Sequence, residues 1–194
     1  MRIGRLVVLG CLLAGATHAA EPVTAPPVAY TPAYLADRAQ IEEVISAFAL
    51  NVDRRRWPEA QALVAERIEL GFPAGDDNSK LQSRQMSAAE FIASSKSQLP
   101  GYLHTQHLVT NPVISVTGDR ATVVSQMQLS HFLPNDEGEP FWIVIGMYEY
   151  GLERGPAGWK ISRMDVHKLF ELGNRKLPEL ASRRVKAGQI ATQP

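Results

Sequence analysis

The sequence predicts an α+β domain in which N-terminal helices pack against a strongly curved antiparallel sheet. Two observations support this fold class. Between Asp37 and Pro58 the apolar residues recur at the spacing of one helix face, whereas from His104 onwards the hydrophobic period changes to two, which is typical of strands. Helices therefore come first in the chain and a meander of antiparallel strands follows, an order typical of α+β proteins.

The first predicted helix carries one acidic residue in a distinctive place. Asp37 is expected to cap its N-terminus, with Gln40 completing a capping box, and Pro58 limits the helix to about Arg56. Asp53 then lies near the end of a helix whose other face packs on a core. The residues predicted to form that apolar face are Ile41, Val44, Ile45, Phe48 and Val52.

The first 19 residues have the order of a secretory signal peptide. Arg2 and Arg5 form a basic region, residues 6–16 are apolar, and small residues precede a predicted cleavage near Ala19. The single cysteine, Cys11, lies inside this leader, and lipid attachment there is the alternative. Residues 20–34 are rich in proline and predict an extended linker. We therefore expect an exported protein, periplasmic or secreted.

Composition predicts one ordinary globular domain with no polyanionic partner. The chain has 194 residues, of which 45% are hydrophobic, and 20 acidic residues balance 20 basic ones. This balance favours neither nucleic acid nor a membrane surface as a partner after signal cleavage. The domain is predicted to span residues 35–172. The tail, 173–194, either forms one helix over residues 179–187 or is partly disordered.

Local signals divide the rest of the domain into elements. Ser87 and Glu90 form a capping-box signature for a short helix that ends near Leu99. Residues 73–85 are polar and predict a loop. A further helix is predicted over residues 58–66, and the predicted strands are 67–72, 104–116, 120–133, 141–154 and 159–166.

The predicted strands bring polar and ionisable side chains to the faces of the sheet. His104 and His107 face opposite sides because their numbers differ by three, so one of them can point into the concave side. His131 shares a face of the next strand with Leu129, and Tyr148 lies on the strand after it. Tyr148 is a candidate to donate a hydrogen bond to a ligand. The consecutive Arg54, Arg55 and Arg56 predict a solvated helix end.

In their order and spacing, these motifs resemble the SnoaL-like branch of the nuclear transport factor 2 superfamily, which includes scytalone dehydratase, hexachlorocyclohexane dehydrochlorinase and the bile-acid dehydratases. The motifs are the first helix ending in VDRR, the dipeptide WP, and the strands RIEL, HTQHL and GMYEY with GWKI. The resemblance implies a cone-shaped α+β barrel with one deep, largely apolar cavity. It also implies a homodimer or homotrimer.

The resemblance assigns roles to particular residues. In these enzymes an Asp near the end of the first helix pairs with a His on the strand after the third helix, and Asp53 and His107 stand at those positions. It further implies that His131 binds the substrate and that Arg154 corresponds to a cavity arginine. Such a carboxylate would orient the imidazole, which acts as a general base, and neither metal nor cofactor is required.

Two functions remain open from the sequence. The first is an exported lyase or isomerase, independent of cofactors, that abstracts a proton from a small apolar or cyclic molecule through an Asp–His dyad. The alternative is a non-catalytic module of the same fold that binds a small molecule or associates with proteins. On that alternative Asp53 caps a helix or pairs with a neighbouring arginine, and His107 is a hydrogen-bonded core residue.

Overall fold

The computed structural model describes residues 29–74 and 77–191. The predicted signal peptide and most of the predicted linker lie outside the described residues. The helices are α1 (Pro32–Asp53), α2 (Trp57–Ala62), α3 (Ala88–Lys96) and α4 (Leu177–Lys186), with a 3-10 turn at Leu99–Gly101. The strands are β1 (Val64–Ala74), β2 (Asp77–Ser87), β3 (His104–Thr117), β4 (Arg120–Phe132), β5 (Phe141–Gly155) and β6 (Gly158–Gly173).

The strands form one curved six-stranded sheet in the order β2-β1-β6-β5-β4-β3. The four long strands at the C-terminal end form the predicted antiparallel meander. β1 pairs with β6 in parallel, so the sheet is mixed rather than purely antiparallel. The helices and the curved sheet together confirm the α+β prediction and its cone shape.

Helix α1 confirms the predicted apolar face but begins earlier than expected. Four of the five predicted residues are buried, and Val44 is partly buried against the same core. The cap is Thr31, whose Oγ1 accepts a hydrogen bond from the backbone N–H of Tyr34, with Pro32 in the first turn. The prediction of Asp37 as the cap is wrong, because that carboxylate lies inside the helix and binds side chains of the sheet.

The segment predicted as a polar loop forms most of strand β2. It pairs antiparallel with β1, from Arg67 opposite Ser87 to Pro73 opposite Leu81. β2 is an edge strand, and residues 82–85 are exposed. A solvated edge strand carries polar residues on both faces, which removes the alternation that identifies a strand in a sequence.

The C-terminal tail folds onto the domain as helix α4. Leu177 and Ala181 are fully buried, and a Cβ added at Gly101 would lie 2.0 Å from the backbone oxygen of Ala181. This close approach of two backbones anchors the tail, which decides between the two alternatives that the sequence left open. No helix in the described part of the chain is long and apolar enough to cross a membrane.

Helices α1 and α3 pack on the concave side of the sheet and shape the site. The capping box predicted for α3 is present, since the Glu90 carboxylate accepts a hydrogen bond from the Ser87 backbone at 2.8 Å. Along β5 the buried side chains alternate, and they include Val144, Tyr148 and Tyr150 on the concave side. β6 continues seven residues past its predicted end, which extends the concave wall.

Candidate active site

A cavity of about 410 Å³ lies between the helices and the concave side of the sheet. Most of its lining is apolar or aromatic, and its ionisable groups are few. Among the residues described, no three His, Cys, Asp or Glu side chains cluster closely enough to hold a metal ion. The lining residues are Phe48, Ala49, Val52, Phe72, Pro73, Phe91, Ser95, Gln98, Leu99, His107, Val109, Leu129, His131, Trp142, Val144, Tyr148, Tyr150, Met164, Val166, Lys168 and Glu171.

The structure brings Asp53 and His107 into direct contact. Asp53 is the last residue of α1, and its Oδ1 lies 2.6 Å from Nδ1 of His107. Its Oδ2 accepts the backbone N–H of His107 at 2.7 Å, and the Thr105 hydroxyl donates to Oδ1 at 2.9 Å. The carboxylate therefore has donors for both oxygens, which fixes its orientation toward β3.

This network sets the protonation of the pair. Burial alone would raise the pKa of Asp53, but the hydrogen bonds from His107 and Thr105 outweigh burial and lower this pKa below its ordinary value. The carboxylate is therefore ionised at neutral pH and accepts a hydrogen bond from the N–H at Nδ1 of His107. We assign the proton to Nδ1 from this hydrogen bond, which leaves Nε2 of His107 as the basic nitrogen.

Arg55 supports the Asp53–His107 pair through Thr105, a role that the sequence did not reveal. Its guanidinium donates to Oγ1 of Thr105 at 2.9 Å and to the backbone oxygen of Leu99 at 2.6 Å. Because the Thr105 hydroxyl accepts from Arg55, its own proton goes to Asp53. The prediction of a solvated helix end is wrong for Arg55, although Arg54 and Arg56 are exposed.

A backbone turn explains why Arg55 points inward. Arg55 has φ of 59°, in the left-handed region that non-glycine residues seldom adopt. This turn ends α1 and aims one of three consecutive arginines back under the helix, where it also binds the backbone oxygen of Val52 at 3.1 Å. Helical periodicity cannot distinguish among the three arginines.

His131 lies beside His107 and is held neutral. It is 5% exposed, and its ring centroid lies 5.9 Å from that of His107 and 4.9 Å from that of Trp142. Its Nδ1 lies 3.3 Å from the backbone oxygen of Trp142. Burial, with a smaller effect of His107, lowers the pKa of His131 to about 3. The structure thus places it in the cavity wall as a neutral group able to contact a ligand.

Tyr148 also lines the cavity, next to a second tyrosine on the same face of β5. The rings of Tyr148 and Tyr150 are 5.1 Å apart, and both side chains are buried. Burial raises the pKa of both phenols well above its ordinary value. They remain protonated at any physiological pH, so each can donate a hydrogen bond.

The prediction that Arg154 lies in the cavity is wrong. Its guanidinium binds Asp37 at 2.8 Å and Asp119 at 3.2 Å, and stacks over Trp159 with 4.6 Å to the ring centroid. Asp37 and Asp53 are separated by about 24 Å along α1, at 1.5 Å per residue. Arg154 therefore ties the N-terminal half of α1 to the sheet, far from the dyad.

Comparison with known proteins identifies the family. The SnoaL-like domain family matches residues 33–165, which is more than half of the chain. The chain belongs to the SnoaL-like domain family. This match confirms the resemblance stated from the sequence motifs. No curated protein is significantly similar to the sequence.

Solved structures of the nuclear transport factor 2-like superfamily share the fold. The Kfla4162 protein of Kribbella flavida is 21% identical, with 76% of this chain and 98% of that chain covered and a TM-score of 0.65. A putative scytalone dehydratase of Novosphingobium aromaticivorans is 18% identical, covering 72% and 88% with a TM-score of 0.58. The hexachlorocyclohexane dehydrochlorinase LinA-type3 of Novosphingobium barchaimii is 17% identical, covering 73% and 92% with a TM-score of 0.58. At these identities the likeness shows the fold alone.

The buried neutral state of His131 predicts a pH-dependent stability. Its pKa of about 3 in the folded chain is below the ordinary 6.5, so the unfolded chain binds more protons between these values and stability falls as pH falls. From pH 7 to pH 5 this histidine should account for a loss of roughly 2 kcal/mol in the free energy of unfolding. Urea unfolding should show that loss in the wild type and not in His131→Gln.

The matched control is His104→Gln, because His104 is exposed at the start of β3. This variant should keep the pH dependence of the wild type. If His131→Gln loses stability between pH 7 and pH 5 as steeply as the wild type does, the neutral buried state of His131 is contradicted.

Proposed function

We propose that this protein is an exported, cofactor-independent lyase or isomerase that abstracts a proton from a small apolar or cyclic molecule. The observation that carries the proposal is the contact between Asp53 and His107 at an apolar cavity, 2.6 Å between Oδ1 and Nδ1. A carboxylate that holds one imidazole nitrogen makes the other a better base. The side chains of Asp53 and His107 are each only 14% exposed, so water competes little with a bound ligand.

The chemistry proposed for the site follows from the roles of the side chains. Nε2 of His107 takes a proton from a carbon next to a carbonyl or one atom away from a leaving group. In an elimination, the electron pair of that C–H bond forms a double bond and the leaving group departs with its own bonding pair. Asp53 stabilises the resulting imidazolium, and the low dielectric of the cavity strengthens this attraction.

Two further side chains suit the stabilisation of an oxygen on the substrate. Tyr148 keeps its proton and can donate a hydrogen bond to a carbonyl or a leaving oxygen. Neutral His131 contacts the same space and adds no competing positive charge beside His107. We therefore propose that His131 and Tyr148 bind the substrate, because both line the cavity beside His107.

The structural neighbours support the reaction class. The Novosphingobium aromaticivorans structure is named a putative dehydratase, and the Novosphingobium barchaimii structure is named a dehydrochlorinase. Both names denote eliminations, loss of water in one case and of hydrogen chloride in the other. An elimination of this kind removes a proton together with the leaving group, and proton removal is the step that the Asp53–His107 pair would perform.

The dyad proposal predicts strong non-additivity between its two members. Hydroxylated and halogenated cyclic compounds should first be screened by mass spectrometry for loss of water or hydrogen halide. On any substrate so found, His107→Ala and Asp53→Asn should each lower turnover by about 10²-fold or more. His107→Ala removes the base, and Asp53→Asn no longer fixes the tautomer of His107 that leaves Nε2 free. The double variant should be hardly slower than His107→Ala, since the two residues act as a unit.

The control for this experiment is His104→Ala, which removes an exposed histidine of the same strand. Unfolding must be measured in parallel, because losing a buried hydrogen bond alone costs about 1–3 kcal/mol. Full turnover by folded His107→Ala would exclude the dyad. A ligand that binds and is never consumed by the wild type would favour the non-catalytic binding module instead.

Export is the second part of the proposal. It rests on the basic, apolar and small-residue order of residues 1–20, which lie outside the described residues. Mass spectrometry of the protein recovered from its native compartment should find the N-terminus at about Ala20. Recovery of the chain with Met1 intact would contradict export by a cleaved signal.

Self-association as a homodimer or homotrimer is the third part. The convex side of the sheet exposes Leu108 (40%) on β3 and Phe170 (51%) and Leu172 (52%) on β6. Pairing through β4 and β5 aligns Leu108 with Phe170 on the side away from the cavity. A second copy would cover this apolar face. Light scattering should give a dimer or trimer for the wild type and a smaller species for a Phe170→Ser, Leu172→Ser variant. A wild-type monomer at high micromolar concentration would contradict this assignment.

A further inference from the structure

We infer that Lys168 forms a subsite for a carboxylate carried by the molecule in the cavity. The ligand class would then be an apolar ring or chain with an anionic group at one end. The inference deepens the proposed function and rests on it only in taking the cavity as the ligand site. Lys168 was not among the residues singled out by the sequence, because strand β6 was expected to end at residue 166.

A β-bulge in β6 places two charged side chains on the cavity side. Gly146 pairs with Lys168, and Ile145 pairs with Phe170, so Leu169 is an extra residue opposite β5. In a regular strand positions 168 and 171 would face opposite sides of the sheet. The bulge shifts the register by one residue, and both Lys168 and Glu171 line the cavity.

This bulge depends on the glycine across from it. A Cβ at Gly146 would lie 2.1 Å from the backbone oxygen of His167, closer than such atoms approach in proteins. The absence of a side chain therefore permits the two strands to come together where β6 carries its extra residue. The position of the Lys168 ammonium is thus built into the backbone of β5 and β6.

The Lys168 ammonium shares its carboxylate partner with a second cation. The Glu171 carboxylate accepts hydrogen bonds from Lys168 Nζ at 3.2 Å and from Trp142 Nε1 at 2.8 Å. Nη2 of Arg175 lies 2.6 Å from Oε1 of the same carboxylate. Burial would raise the pKa of Glu171, but these partners lower it, so the group is ionised. Two cations share one carboxylate, and Arg175 can satisfy it while Lys168 binds a ligand.

The environment of Lys168 favours an anionic partner. Its side chain is only 18% exposed and faces a lining that is otherwise mostly apolar. An ammonium group carries three N–H donors, of which the contact with Glu171 uses one. In a site of low dielectric, a carboxylate gains much more from such a cation than a neutral isostere does.

The sheet also sets how far the carboxylate would lie from the reacting carbon. His107 is on β3 and Lys168 on β6, so three strand spacings, or roughly 14 Å across the curved sheet, separate them, with a further offset of two residues along β5. His131 and Trp142 occupy the wall between them, with their rings 4.9 Å apart. A ligand that reaches both groups therefore has its anionic end on the opposite side of an apolar ring system from the carbon that loses a proton.

The test compares two probes of nearly equal shape, 2-naphthoate and neutral 2-naphthamide, by titration calorimetry. The wild type should bind 2-naphthoate at least about tenfold more tightly. Lys168→Met should lose this preference while its affinity for 2-naphthamide stays within about twofold, which also shows that the variant is folded. Lys160→Met is the matched control, because Lys160 lies on the same strand outside the cavity lining.

Three results would overturn the inference: equal wild-type affinity for the two probes, an unchanged preference in Lys168→Met, or no binding of either probe to the wild type. His107→Ala should keep the preference for 2-naphthoate, because the dyad does not contact the ammonium. Full turnover by His107→Ala with the preference for 2-naphthoate intact would contradict the proposed function alone. Loss of turnover in His107→Ala without any preference in the wild type would contradict the subsite alone.

Discussion

The hydrogen bonding of the partly buried Asp53 carboxylate is the interaction on which the site depends. Asp53 terminates α1 and accepts hydrogen bonds from Thr105 and from both the backbone and the ring of His107. A carboxylate removed from water is costly unless its oxygens are bound, and here three donors from one strand supply that. The same bonds join the helix to the sheet and fix which nitrogen of His107 is free. Arg55 completes the arrangement by fixing the direction of the Thr105 hydroxyl.

Around this pair, burial keeps the other ionisable groups of the cavity in their uncharged forms unless they have a charged partner. His131 is kept neutral and the two tyrosines are kept protonated, because each loses the solvation that its charged form needs. Charged side chains line or adjoin the cavity only where a hydrogen-bonded partner stabilises them: Asp53 is bound to His107, and Lys168 is bound to Glu171. The cavity thus has the Asp53–His107 pair at one end and the Lys168–Glu171 pair at the other, separated by aromatic rings.

Predictions made from local patterns agree with the structure where local forces decide. The apolar face of α1, the capping box of Ser87 and Glu90, and the β3–β4 and β5–β6 hairpins each depend on residues close in sequence. Asp37, Arg154 and Arg55 were misplaced because their side chains are held by residues distant in sequence or by a left-handed backbone turn. Strand β2 was missed because a solvated edge need not alternate.

By itself, the sequence determined the order of helices and strands, the face of each element that is buried, and, through its resemblance to the SnoaL-like proteins, that Asp53 and His107 were the pair to consider. Only the tertiary structure decided that these two side chains touch, that Arg55 supports them, and that Arg154 does not reach the cavity. It also placed Lys168 and Glu171 on one side of β6. The physical reason is that periodicity reports which face of an element avoids water, whereas bulges, left-handed turns and partners from other strands decide where a charge points.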